Sequence, residues 1–194
     1  NINKRFDKYD FNDLKIWEII VKDLADRGRH INGILPTIPH IATVSDASEF
    51  GLGGYFILWD CIICFRFELP KALIRKLSLN LLEFLAQEYI TEEATNFIRN
   101  FFSGPFTNLT IGDSKSALSW IRSSKFDTHK TPAHDHATNI AIEHQLREQI
   151  QNHDAHLAGE KNLIADSFSR DFNFSLPQLC YLFQTEEAVK SLRR

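Results

Sequence analysis

The sequence predicts an α/β protein: a mixed five-stranded sheet, three strands antiparallel and then two parallel, covered by helices. Three observations lead there. Residues 41–68 hold three short runs rich in β-branched and aromatic residues, too closely spaced for anything but hairpins. Downstream, strand-like runs alternate with helical patterns, which is how parallel crossovers read in sequence. The runs at 41–45 and 109–111 each lead into an aspartate, Asp46 and Asp113, as neighbouring strands sharing one functional edge would.

Residues 1–10 are polar and charged and read as an arm. From 11 to 26, Leu14, Trp17, Ile20, Val21 and Leu24 recur at helical spacing, with Gly28 beyond the end. Pro36 and Pro39 mark 32–40 as a linker into the first strand, 41–45. Gly51, Gly53 and Gly54 supply a tight turn, after which strands at 53–58 and 62–68 complete a meander that Pro70 ends. The basic connector 71–76 precedes a long helix over 78–101, with Ser78 as N-cap and an inward stripe of Leu79, Leu82, Ala86 and Ile90. Gly104 and Pro105 stop it. A short strand at 109–111, a helix at 114–122, a polar loop, a helix at 133–152, a brief strand at 155–157 and a helix at 162–169 follow. Leu176, Leu179, Leu182 and Phe183 suggest further small helices in the tail.

Length and composition narrow the class. The 194 residues suit one domain with a sizeable core, and 43% hydrophobic against 24% charged is ordinary for a soluble globular chain. The formal charge of −3 argues against a stand-alone module that grips nucleic acid by charge alone. No methionine occurs among the 194 residues, so the chain reads as a piece of a longer polypeptide. Three cysteines make no disulfide framework, and Cys61 and Cys64, three apart in a strand, face opposite sides and read as structural. No signal peptide or membrane span is visible, and the expected location is cytoplasm or nucleus.

The chemistry concentrates in four acids. Asp46 and Asp113 sit at strand ends, Glu83 lies in or beside the inward stripe of the long helix, and Asp166 follows Ile164 and Ala165 on a small helix. Singly, each has a bland reading: an Asx-turn, a helix cap, a snorkelling glutamate, an exposed acid. Together they converge at one sheet edge, where four carboxylates repel and carry raised pKa values unless divalent cations hold them. An all-oxygen donor set suits Mg²⁺ or Mn²⁺ rather than zinc. His134 and His136, two apart on a helix, point in different directions and make a poor zinc pair.

Four pieces resemble a ribonuclease H domain of the reverse-transcriptase type, as found in retroviruses and LTR-type retroelements. They are SDASEFGLGG around Asp46, LNLLEFLAQEY around Glu83, LTIGDSKSALSWI around Asp113 and AHLAGEKNLIADSFSR around Asp166. The last is the most specific, with His156, Gly159, Asn162, Ala165, Asp166, Ser169 and Arg170 on the family pattern. The Leu-Asn-x-x-Glu piece and the helix DLKIWEIIVKDL are similar to tyrosine-recombinase (DIRS-type) retroelements, where such a helix joins the polymerase to the ribonuclease H domain. Ser114 departs from the asparagine or histidine common after the third acid.

The resemblance implies an endonuclease that hydrolyses the RNA strand of RNA–DNA hybrids with two Mg²⁺ ions, Mn²⁺ able to substitute. Asp46 would bridge both ions, Glu83 and Asp113 would hold one and Asp166 the other, while His156 moves a proton or helps product leave. Candidate substrate contacts are Asn80, Ser48, Lys71, Arg75 and Asn162. Residues 1–40 would be an arm and connecting helix, 41–172 the catalytic domain and 173–194 a helical tail. The partners would be the hybrid and an upstream polymerase domain of the same polyprotein, with no membrane. Two alternatives compete: a silent scaffold on the same fold, against which four converging acids argue, and a DNA-cutting transposase or resolvase, against which the histidine-to-arginine segment argues.

Overall fold

A computed structural model describes residues 8–27, 38–58, 61–74, 76–123 and 131–184. Helix α1 (Lys8–Arg27) precedes strands β1 (Ile41–Ala47), β2 (Gly51–Leu58) and β3 (Cys61–Glu68). Helix α2 (Leu79–Ile98), strand β4 (Phe106–Gly112), helices α3 (Lys115–Ser123) and α4 (Pro132–Glu148), strand β5 (Ile150–His156) and helices α5 (Leu163–Arg170) and α6 (Leu176–Leu182) follow. The five strands stand in the order β3-β2-β1-β4-β5. β1 to β3 form an antiparallel meander, and β1–β4 and β4–β5 are parallel, as the sequence predicts.

Period-two alternation assigns β1's faces. Ile41 packs with Phe56, Ile90, Ala94 and Phe106 beneath α2, whereas Val44 packs with Tyr55, Ile164, Ala165 and Phe168 on the α5 side. Asp46 shares Val44's parity and so points toward α5. A second core of Leu81, Phe84, Ala117, Trp120, Ile121, Ala137 and Ala141 joins α2, α3 and α4. The sheet therefore lies between the α2 layer on one face and α5 with α6 on the other.

Several boundaries differ from expectation. The β1–β2 turn is made at Ser48–Phe50, where the Ser48 N–H donates to the Gly51 carbonyl at 2.9 Å. β2 begins at Gly51, two residues before the expected start, so all three glycines lie within the strand. Ser78 caps α2 as expected, its hydroxyl accepting from the Leu81 N–H, but Leu79, the first residue of the helix, is 53% exposed and outside the stripe. The stripe runs through Leu81, Leu82, Phe84, Ala86, Ile90, Ala94 and Ile98. α4 ends at Glu148, not 152: Gln149 adopts φ 52° as a left-handed cap, and Ile150 begins a seven-residue β5. β4 is likewise longer than the expected 109–111, since Phe106 and Asn108 pair with β5 and β1. Residues 8–10 belong to α1, and α1 meets α4 while Leu14, Trp17 and Val21 stay exposed. Cys61 and Cys64 are both exposed and form no disulfide, as an edge strand allows. Residues 1–7, 28–37, 59–60, 75, 124–130 and 185–194 lie outside the described residues, and with them the expected polar loop and part of the expected tail helices.

Candidate metal centre

β1 and β4 pair in parallel from Ile41↔Asn108 to Val44↔Ile111 and stop there, so both strands deliver their next residues to an open edge. Asp46 and Asp113 emerge at that edge. α2 crosses from the other side and contributes Glu83. Asp46 is only 2% exposed and Glu83 7%. One carboxylate oxygen from each of Asp46, Glu83 and Asp113 lies within 4.8 Å of the other two.

Such crowding has an electrostatic cost. Burial first, then the charges of Asp46 and Asp113, push Glu83 up to about 8, against an opposing Ala47 backbone hydrogen bond and Arg170. Asp46 rises to about 6, chiefly through burial, with the Ser169 hydrogen bond opposing, the charges of Asp113 and Asp166 adding, and Arg170 opposing. Asp113 Oδ1 is buried without a hydrogen-bond partner. An orphaned carboxylate oxygen among three crowded carboxylates, with no nitrogen or sulfur donor in the group, fits a hard divalent cation.

Asp113 is available for this because Ser114 takes the cap of α3: its hydroxyl accepts from the Ala117 N–H at 3.3 Å. The departure at position 114 thus leaves the acid free of capping duty. Asp166 stands on α5 outside the three-acid group, its Oδ1 2.5 Å from Arg170 Nε. His156, the last residue of β5, places Nε2 3.1 Å from the Asp113 carbonyl oxygen. Between His156 and α5, Gly159–Lys161 forms a single 3₁₀ turn, and a Cβ at Gly159 would sit 3.0 Å from Asp113 Oδ2.

The candidate substrate contacts separate into two groups. Asn80 and Lys71 are exposed. Ser48 is buried, donating to the Ser169 carbonyl at 2.6 Å and accepting from the Phe50 and Gly51 N–H groups. Asn162 is buried as well, and its amide donates to the Ser45 carbonyl at 3.2 Å, just where β1 and β4 part. Both tie α5 and its approach to β1. His134 is buried with Nδ1 2.7 Å from Thr131 Oγ1, while His136 is exposed, so the two do not share a site.

Three residues were visible in the sequence but carry roles it did not reveal. Ser169, 0% exposed, donates its hydroxyl to Asp46 Oδ2 at 2.6 Å. Arg170 pairs with Asp166. Gly53 lies directly across from Asp46 in the sheet, and a Cβ there would come within 2.3 Å of the Ser169 nitrogen. The first two belong to the quoted Ser-Arg pair, which was the available signal; nothing in the sequence distinguishes Gly53 from its neighbours.

Five strands in this order and sense, with acids at the β1 and β4 ends and on α2, decide the architecture. The fold is that of ribonuclease H. The N-terminal ribonuclease H domain of Rv2228c from Mycobacterium tuberculosis superposes with a TM-score of 0.51 at 12% identity, covering 68% of this chain and 96% of that one. Ribonuclease H1 from the archaeon Halobacterium salinarum gives 0.49 at 15% identity over 68% and 97% of the two chains. LC11 ribonuclease H1, solved with an RNA/DNA hybrid, gives 0.46 at 14% identity over 66% and 92%. No family model and no curated protein matches the sequence. Within the ribonuclease H fold of this chain, no helix among the described residues is long and apolar enough to cross a membrane.

Proposed function

We propose that the chain is a divalent-metal-dependent ribonuclease H that hydrolyses the RNA strand of RNA–DNA hybrids, acting as the ribonuclease H part of a retroelement reverse transcriptase. One observation carries the chemistry: Asp46, Glu83 and Asp113 bring ligand oxygens within 4.8 Å, with Asp113 Oδ1 buried and unpartnered. Asp46, Glu83 and Asp113 would hold one Mg²⁺ or Mn²⁺, and Asp46 with Asp166 a second. Bound there, the ions supply charge stabilisation to the reacting phosphate and an acidified water.

The chain's own residues do the rest. Ser169 fixes the Asp46 carboxylate, so the acid meets the ions in one orientation. His156, next to Asp113 at the open edge, takes or returns a proton, a task for which imidazole is well suited. Lys71 and Asn80, both exposed on the approach to α2 and in its first turn, are the candidate substrate contacts, with Arg75 a further candidate from the sequence alone. Ser48 and Asn162 support the site from within. Residues 41–172 form the catalytic domain, 1–40 its connection to an upstream polymerase domain of the same polyprotein, and 173–194 a tail. The retroelement assignment rests on the Asp166 segment and the tryptophan-bearing α1.

The test is cleavage of end-labelled RNA–DNA hybrid, duplex DNA and duplex RNA, with Mg²⁺ or EDTA. The expected result is Mg²⁺-dependent cutting of RNA in the hybrid alone. Preferential cutting of duplex DNA favours the transposase reading. Metal binding without cleavage of any substrate favours a silent scaffold, and either outcome refutes the proposal.

A further inference from the structure

We propose that Arg170 is the resident counter-charge of the second half of this site, and that Asp166 exchanges Arg170 for a divalent ion, so that Arg170 sets how tightly that ion is held. The inference rests on the two-ion reading above and adds a residue that controls it.

α5 places positions 166 and 170 one turn apart on one face, where side chains meet. Arg170 Nε lies 2.5 Å from Asp166 Oδ1, and the side chains are 55% and 42% exposed, so the pair can part without opening the core. Asp46, Glu83 and Asp113 form the tight group, and Asp166 is outside it, its oxygen engaged by the guanidinium. Asp166 is nonetheless near enough for its charge to act on Asp46, and Arg170 is near enough to oppose the burial-driven rise at both Asp46 and Glu83. A single guanidinium therefore lies within electrostatic reach of three acids, at the mouth rather than the floor of the cluster.

The adjacent residue shows what kind of motion is available. Ser169 is fully buried and fixed to Asp46 at 2.6 Å, and its backbone lies against Gly53. The last turn of α5 therefore stays where it is. Exchange at Asp166 is a side-chain event, in which Arg170 swings outward while the helix keeps its seat. An exposed ion pair of this kind is weak, so the competition it offers is modest and readily overcome. The first ion meets three carboxylates that form no ion pair among the described residues. The second must take Asp166 from Arg170, which makes the two sites unequal.

The experiment is calorimetric titration of the whole 194-residue chain with Mn²⁺, in wild type, Arg170→Gln, Arg170→Lys and Asp166→Asn, with thermal melts in EDTA alongside. The expected wild type takes up two ions of unequal affinity. Arg170→Gln tightens the weaker ion by about 2- to 5-fold, the range of an exposed ion pair, and tightens the other by less, since Arg170 reaches Asp46 and Glu83 only through space. Arg170→Lys stays near wild type, and Asp166→Asn loses only the weaker ion. A merely structural arginine would lower the melting temperature and weaken both ions together. That result, or an unchanged weaker ion in Arg170→Gln, overturns the proposal. A wild type that binds no Mn²⁺ overturns the nuclease reading with it, whereas two ions in the wild type and no effect of Arg170→Gln removes this inference alone.

Discussion

Replacing Asp46 by asparagine should stabilise the metal-free chain and remove its response to magnesium. In the folded chain Asp46 titrates at about 6 instead of 3.8, so above that pH its charge works against the fold. A rise of that size corresponds to on the order of 3 kcal/mol. Because the folded-state value is raised, the contribution is favourable below about pH 4 and is lost as the pH climbs through 6. An asparagine there would carry no charge and would still accept the Ser169 hydroxyl bond. It would also relieve Glu83, whose upward shift has Asp46 as its second cause after burial. In EDTA the variant should therefore be more stable than wild type by on the order of 1–3 kcal/mol at about pH 8, and equal to it at about pH 4. Magnesium closes or reverses the gap: at about a hundred times its dissociation constant an ion adds about 2.7 kcal/mol to the wild type and little to the variant. Urea denaturation at the two pH values, with EDTA or Mg²⁺, measures each of these quantities, and hybrid cleavage by the variant should be absent. No gain at the higher pH in EDTA would show that the Asp46 charge does not oppose the fold, and equal stabilisation of both proteins by Mg²⁺ would show that it is not a ligand.

His156→Ala should slow single-turnover hybrid cleavage by about 100-fold or more while leaving Mn²⁺ titrations unchanged, since it holds a proton and not an ion. Loss of metal affinity as severe as that of Asp113→Asn would make it a ligand instead. Ser169→Ala removes a charge-assisted bond from a buried carboxylate and should cost about 1.5–3 kcal/mol at about pH 8, less at about pH 4 where Asp46 is protonated; equal losses at the two pH values contradict this. Gly53→Ala drives a methyl to within 2.3 Å of the Ser169 nitrogen and 2.4 Å of the Phe168 carbonyl carbon, so α5 must shift. The melting temperature should fall by the equivalent of about 1–3 kcal/mol or more and the weaker Mn²⁺ ion should be lost first; a variant with unchanged melting and metal binding would mean that α5 has room to spare.

The sheet and its acids were legible because buried strands must show apolar alternation, and acids at the ends of two such runs are explained one at a time more easily than together. Val44 before Asp46 and Ile111 before Asp113 are cases in point. β5 was harder. Its sequence, IQNHDAH, is almost wholly polar because an end strand is half-buried and its backbone pairing with β4 needs no apolar side chain. The helix stop before it was hidden as well, since Gln149 takes the left-handed conformation that usually advertises itself with glycine. Asn108, completely buried, reads as a loop residue in sequence. In the fold its amide is satisfied by Thr43, Thr91, Thr110 and Asn152, a network assembled from four elements that no local pattern reveals. In the candidate site, Asp46, Glu83 and Asp113, which the fold brings together, were legible by type and place, whereas His156 and Asp166 were picked out through the segment that resembles the family. The role of Ser169 was not legible, because it comes from a contact 123 residues away.

Gly53 has a consequence for how the site can vary. Asp46 faces it across the sheet, and the backbone of α5 rests where its side chain would be. The gap between the first acid and the last is therefore gauged by main chain against main chain, a contact with no rotamers to absorb error. Side-chain fits elsewhere can drift by a methylene and repack; this one has no adjustable part. Random mutagenesis under selection for hybrid cleavage should leave position 53 among the least permissive residues that touch neither ion nor substrate. Changes to the outer surface of α4, which contributes none of the four acids, should accumulate freely. The tool's calibration is stored in an absent side chain.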